Sequence, residues 1–484
     1  MSFFLKCSVV FFFIIITPFY AVSLDYEPGT LLIKIKQEPL TGDTVSRQKN
    51  DDIKKMISVL NRKWAAREKE LVLQNIVMTV YSSLVNVDQP KNLDRIKVLS
   101  FPKEFDIATI KRDYQDSGAV AEVEYNYYVY TQQSRMRISA HQYYIMHDSL
   151  KSTPILQSEV QIPVAVIDTG VDISHPNLRH AIYTNQGEIP FNNVDDDENG
   201  YVDDYQGVSF LGYSANQRSS TDIRDEHGHG THIAGVIAAT SVAGDGIWGL
   251  NPQALIIPIK FMDSTGKGTQ LDAAMAIRYA VDMGAKVINC SWGYFKKTTV
   301  LEDAINYAVK KGVIIVSAIG NSDTYIPEYP SAFESVISVG AVSQSLNRTS
   351  YTNYGSHLDF MTFGDNIYST LPSNSYGVLS GTSQATAIVS GVVSRLLSLY
   401  PVMTYLGMTE MLKNNALDLA SEGYDQYTGY GLVQVDGMLE ELSEVVPSYN
   451  IVIVEEKTKK ADSYIKYIGI ALGVIVAFIV GVSL

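Results

Sequence analysis

A chain of 484 residues with 46% hydrophobic and 19% charged side chains is globular and long enough for roughly three domain-sized units. Its formal charge of −14 argues against nucleic acid as a partner, which needs a concentrated basic face. Of the two cysteines, Cys7 falls in a predicted leader, which leaves Cys290 without an intrachain partner and says little about redox compartment.

In chain order, residues 1–23 read as a secretory signal peptide. Lys6 supplies a weak positive n-region, residues 9–17 are an apolar run too short to span a bilayer, and Ala21-Val22-Ser23 resembles a small-residue cleavage site. A signal anchor is the rival reading, disfavoured because Pro18 ends the apolar stretch. Residues 24–134 form a separate small α+β unit. Strands are predicted at 30–36, 96–99 and 120–127, a charged helix-forming stretch at 51–75, and a short amphipathic helix from Asp106 to Asp116. The unit has no catalytic constellation, and a prodomain, a binding domain or a dimerisation module would each fit.

Residues 135–445 alternate apolar strands with helices. The strands, 162–167, 255–259, 287–290, 313–316 and 336–339, are almost continuously apolar, the pattern of a mainly parallel α/β sheet with helices on both faces. In such sheets the site lies beyond the carboxyl ends of the strands. Residues 446–463 are a charged linker and 464–484 a predicted transmembrane anchor. Its core, 468–484, is 17 uncharged residues, at the lower edge of what spans a bilayer. Tyr464 and Tyr467 suit the interface, Lys466 can snorkel, and Gly469 with Gly473 makes a weak helix-pairing signal. Lys457, Lys459, Lys460 and Lys466 precede the run and none follows it, which taken alone would place that flank in the cytoplasm. The cleaved leader takes precedence, so the large domain is expected outside the cytoplasm.

Polar residues after these strands carry the chemistry. Asp168 ends the first strand, where a carboxylate can be buried at its stem and face a site; helix capping is its plainer use. In Asp225-Glu226-His227-Gly228-His229-Gly230-Thr231-His232, His229 stands in the first turn of an apolar helix, suited to a general base held by a carboxylate. A core histidine and a metal site built on His227, His229 and His232 are the alternatives; the metal reading lacks an HExxH pattern. Asn321 follows the strand 313–316 and offers an amide donor to an oxyanion, worth about 3–4 kcal/mol to a transition state. Ser383, in Gly381-Thr382-Ser383-Gln384-Ala385-Thr386, opens a helix at its positive end. Each signal is weak by itself; the order Asp, His, Asn, Ser at strand ends and helix starts is jointly strong.

With these motifs in view, residues 160–435 resemble a subtilisin-like serine protease, on Val-Ile-Asp-Thr-Gly at 166–170, His-Gly-Thr-His-Ile-Ala-Gly at 229–235, Ser-Trp-Gly at 291–293 and Gly-Thr-Ser-Gln-Ala-Thr at 381–386. The resemblance implies that Asp168 orients His229, that His229 takes the proton of Ser383, and that Asn321 with the Ser383 backbone N–H holds the oxyanion. It implies substrate bound as an added strand along Ser291, Trp292 and Gly293, protein or peptide substrates, and an inhibitory propeptide in residues 24–134 removed somewhere in 127–140. Gln384, Ala387 and Ile388 depart from the family's usual methionine, proline and histidine, and Asn177 replaces an aspartate that often binds calcium. A second calcium signal stands by its own pattern: Asp195, Asp197, Asn199 and Asp203 place oxygen ligands as in the first half of an EF-hand loop, with Gly200 sixth and no closing glutamate. A solvated acidic turn is the alternative. Glu328, before Tyr329-Pro330, is expected near the specificity pocket, favouring basic side chains before the bond cut. A binding protein on the same scaffold and a non-peptide serine hydrolase are the competing functions; the latter usually shows a Gly-x-Ser-x-Gly elbow, whose second glycine is absent.

Overall fold

The computed structural model describes residues 26–35, 44–63, 67–69, 96–101, 105–132, 160–212, 220–241, 247–434, 452–456, 463–469 and 476–482. The leader at 1–23 and the segment 133–140 that the processing expectation reaches lie outside them.

The large domain is built on a nine-stranded sheet. Its order is Ala416–Leu417, Leu432–Val433, Phe360–Phe363, Val336–Val342, Ile314–Ala318, Val287–Cys290, Pro163–Asp168, Leu255–Lys260, Val208–Ser209. Every pairing is parallel except that of Ala416–Leu417 with its neighbour. The uninterrupted apolar runs follow from burial on both faces. In Pro163–Asp168, Val164 and Val166 join a core with the helices His229–Ala238 and Thr382–Leu399, whereas Ala165 and Ile167 join one with Gln270–Asp282 and Thr299–Lys310. Asp168, Ser291 and the turn holding Asn321 all follow carboxyl ends of these parallel strands, which brings distant segments to one edge.

The amino-terminal unit is an antiparallel sheet, Val120–Thr131, Tyr26–Ile35, Ile96–Ser100 and Arg67–Lys69, covered by the helices Thr44–Lys63 and Ile107–Asp116 around Leu31, Ile33, Leu99, Ile110 and Tyr114. Asp106 caps the second helix, accepting from Ala108 N and Thr109 N. The first helix begins and ends earlier than the predicted 51–75, because Arg67–Lys69 pairs with Ile96–Ser100. The last strand runs four residues past the predicted 120–127. Its extension pairs with Lys267–Thr269 and with Trp292–Gly293, both edges of the large domain. Two more contacts join the units at helix starts: Glu124 accepts from Thr299 N at 3.1 and 3.0 Å, and Asn126 Oδ1 from Leu271 N at 3.2 Å.

The carboxyl-terminal tail corrects an expectation. The described residues Val452–Glu456, Ser463–Gly469 and Val476–Val482 form a three-stranded antiparallel sheet, where a membrane helix was expected. Among the described residues no helix is long and apolar enough to cross a membrane. A short run of valine, isoleucine and glycine has no helical period, and β-branched side chains suit a strand equally.

Candidate active site

Asp168 and His229 meet with both side chains fully buried. His229 Nδ1 donates to Asp168 Oδ1 at 2.8 Å, and Thr169 N donates to the same oxygen at 2.8 Å. This bond fixes the tautomer and leaves His229 Nε2 as an acceptor; among the described residues Nε2 has no hydrogen-bond partner. Gly230 permits the approach, since a Cβ there would stand 2.1 Å from Gly170 O and 3.1 Å from Asp168 Cβ.

Asp225 was missed as a functional residue although it opens the histidine motif. It accepts from His227 N, Gly228 N, Thr231 N, Thr231 Oγ1 and Thr169 Oγ1, and so ties the first turn of the histidine helix to the residue after Asp168. It stands four residues ahead of His229, outside the N-cap position that Gly228 fills, so no local capping pattern marks it in the sequence. His232 turns away and donates through Nε2 to Ile367 O at 3.0 Å; burial, then the neighbouring His229, lower its pKa to about 3. Among the described residues the possible metal ligands that come together are Glu188, Asp197 and Asp204, and the three histidines form no such group.

Ser383 stands in the first turn of Thr382–Leu399. Its Oγ donates to Ser291 O at 2.9 Å, so rotation about χ1 must precede transfer of its proton to His229. A relay from below holds the turn: Ser390 Oγ donates to Asn289 Oδ1, Asn289 Nδ2 to Ser291 Oγ, and Ser291 Oγ to Ser383 O. Asn321 Oδ1 accepts from Thr382 N at 3.0 Å, which orients the amide and leaves Nδ2 with no hydrogen-bond partner among the described residues. Gly381 admits this grouping: a Cβ there would lie 2.4 Å from Gln132 O, 3.1 Å from Asn321 Nδ2 and 3.1 Å from Gln384 Oε1.

Gln132, immediately after the last strand of the amino-terminal unit, had no predicted role. Its N–H donates to Ser291 O at 3.1 Å, and its carbonyl accepts from Ser383 N at 3.3 Å. The cleft is thus filled by a backbone held as an added strand between Lys267–Thr269 and Trp292–Gly293. Trp292 serves the cleft through its main chain. Its indole is fully buried against Phe261 and donates to Ile167 O. Gly293 lies beside Glu328, 3.1 Å from where its Cβ would stand to Glu328 Oε2. Glu328 is 2% exposed and accepts from Gln132 Nε2 and Asn353 Nδ2, each at 2.8 Å; burial raises its pKa to about 7.

The expected EF-hand ligands do not converge. Asp195 accepts from Asn199 N and Gly200 N, and Asp203 from Asn192 N and Asn193 N, so both carboxylates close turns. Asp197 instead lies with Glu188 and Asp204, their oxygens within 4.8 Å of one another. Asn199 and Asn185 each donate an amide to both Asp197 and Asp204. Glu188 is distant in the pattern, and Asp204 was passed over for its neighbour. Burial raises the pKa of both, and nearby carboxylates add to the rise. Asn177 is spent elsewhere, donating to Thr240 O and accepting from Tyr376 OH.

Comparison with known proteins gives a match to the subtilase family over residues 160–431. The chain is 39% identical over 235 residues to the thermophilic serine proteinase of Bacillus sp. (strain AK1), covering 49% of this chain and 52% of that protein. It is 36% identical over 235 residues to thermitase of Thermoactinomyces vulgaris (49% and 74% covered), and 34% identical over 280 residues to subtilisin DY of Bacillus licheniformis (57% and 89%).

Proposed function

This chain belongs to the subtilase family and is a serine endopeptidase, and on that premise we propose that it is a secreted zymogen acting through an acyl-enzyme on Ser383. In this reading Asp168 holds His229, and His229 Nε2 takes the Ser383 proton as Oγ attacks the substrate carbonyl. It then delivers that proton to the leaving amine. Ser383 N and Asn321 Nδ2 stabilise the oxyanion. The observation that carries the reading is a peptide carbonyl, that of Gln132, resting on Ser383 N beside the paired Asp168 and His229. Residues 24–134 are the inhibitory propeptide, because their last strand occupies the cleft that a substrate needs. Expressed in a secreting host, the chain should shed its amino-terminal unit, and its Ser383→Ala form should stay at full mass. A Ser383→Ala chain that is shortened like the wild type would refute self-processing.

Calcium is the implied structural ion, and Glu188, Asp197 and Asp204 are the residues proposed to hold it. Three carboxylates offer the hard oxygen donors that calcium prefers, and two are buried where like charges need a cation. The pH dependence follows from the raised pKa values of Glu188 and Asp204. Without the ion, their contribution to stability is complete below the unfolded carboxylate pKa and is lost as pH rises through the folded value. Calcium favours the ionised forms and offsets that loss. Saturating calcium should therefore raise Tm by roughly 5–10 °C at pH 8, from about 2.7 kcal/mol at a hundredfold excess over Kd. The rise should vanish in Asp204→Asn. A calcium-independent melting temperature at pH 8 would count against the site.

A further inference from the structure

We propose that the chain cuts its own backbone at the bond between Gln132 and Gln133, and that Glu328, held by Asn353, selects glutamine at the residue before the bond cut. The inference rests on the peptidase reading above and names the substrate feature and the junction within it.

Register fixes the junction. Tyr128, Val129 and Tyr130 pair with Thr269, Gly268 and Lys267 on one side, and Tyr130 and Thr131 pair with Gly293 and Trp292 on the other. Thr131 N donates to Gly266 O and Gln132 N to Ser291 O. A strand tied on both edges over consecutive residues cannot slip by one without turning every side chain to the opposite wall. Val129 is one such side chain, fully buried in the core that includes Phe261 and Trp292. The carbonyl delivered to Ser383 N is therefore that of Gln132, and no other carbonyl of the strand is bonded to it.

The Gln132 side chain supplies a second, independent anchor. Its Nε2 donates to Glu328 Oε2, while Asn353 Nδ2 holds the other oxygen and Asn353 Oδ1 accepts from Ser322 N. Asn353 is fully buried, and Gly293 and Gly320 leave no side chain between the cleft and Glu328. An amide N–H aimed at a buried acceptor is a contact that glutamine makes and an ionised glutamate does not, since the pocket then sets two carboxylates together. Sites that read one hydrogen-bonding group reject the analogue lacking it far more strongly than apolar pockets reject a methylene.

The reaction balances within the chain and water. Ser383 Oγ adds to the Gln132 carbonyl carbon, and its proton passes through His229 to the Gln133 nitrogen as the C–N bond breaks. Water then hydrolyses the ester, leaving a carboxylate on Gln132 and the Ser383 hydroxyl restored.

The test is intact-mass and amino-terminal analysis of the full chain, produced in one host beside Ser383→Ala. The expected wild-type product begins at Gln133, with Ser383→Ala uncut. A new amino terminus elsewhere, with Ser383→Ala uncut, overturns the junction and leaves the peptidase reading standing. An uncut wild-type chain that still hydrolyses an unrelated peptide overturns the junction in the same way. An uncut chain with no peptidase activity defeats both.

For the pocket, Gln132→Glu should slow self-cleavage at least tenfold at pH 8, above the value of about 7 at which Glu328 ionises. Adding Glu328→Gln to Gln132→Glu should recover most of that loss, because the two side chains have exchanged donor and acceptor. Cleavage of Gln132→Glu at the wild-type rate, or no recovery in the double variant, would overturn selection by Glu328.

Discussion

Asp168→Asn is expected to lower kcat about 10⁴-fold while leaving KM nearly unchanged. The magnitude is that established for this substitution in a serine protease of unrelated fold. The reasoning is specific to atoms seen here. Asp168 Oδ1 accepts from His229 Nδ1 and Thr169 N, with both side chains fully buried. An asparagine keeps the shape and one acceptor oxygen. Because Oδ1 faces both donors, an amide nitrogen in its place donates toward Nδ1, drives the imidazole proton to Nε2 and leaves Thr169 N without that acceptor. The ring then presents a donor to Ser383 Oγ, and the serine proton has no acceptor. Substrate binding does not involve Asp168, because the cleft backbone is held by Gly266 and Ser291 carbonyls and by the Ser383 N–H. Steady-state kinetics on a peptide substrate between pH 6 and 10 checks this. A loss below tenfold, or a loss appearing wholly in KM, would remove Asp168 from the role assigned to it.

What a linear reading could and could not recover follows from where each contact is made. The strands bearing Asp168 and Cys290 were legible to within a residue because burial on both faces makes them apolar throughout. Ser383 and His229 were legible because each opens an apolar helix behind a glycine. Gln132 was not, since its meaning lies in pairings to residues 267–269 and 292–293, far along the chain, and a glutamine after a tyrosine-rich strand has no local signature. At Trp292 main chain and side chain serve different ends. A motif identifies the backbone that binds, while the side chain at the same position packs inward with the alternation of a strand. The acidic loop failed differently. Alternating carboxylates suggested one ring of ligands, but in this geometry Asp195 and Asp203 satisfy backbone amides. Glu188, seven residues before the run begins, supplies the oxygen they do not. Turn closure and ion binding use the same residue types, and only the folded path separates them.

Asn321 separates two roles that one side chain combines, and the contrast between two substitutions should show both. Asn321→Ala should lower kcat by about 10²–10³, the size established for removing such a donor in subtilisin, a relative of this chain. It should also destabilise the fold by about 1–3 kcal/mol, since Thr382 N loses the Oδ1 that accepts from it at the start of the serine helix. Asn321→Asp keeps an acceptor for Thr382 N, so the melting temperature should stay near that of the parent. In place of Nδ2 it sets a carboxylate oxygen beside Gly381 and the bound carbonyl, where negative charge develops in the transition state. Its kcat should therefore fall at least as far as that of the alanine variant, despite the intact fold. Measured together, kcat and Tm distinguish a donor in the reaction from a brace for the helix. If activity tracked stability, with the aspartate variant nearly as active as the parent, Asn321 would be only a brace. The stabilising contact to the oxyanion would then have to come from Ser383 N alone.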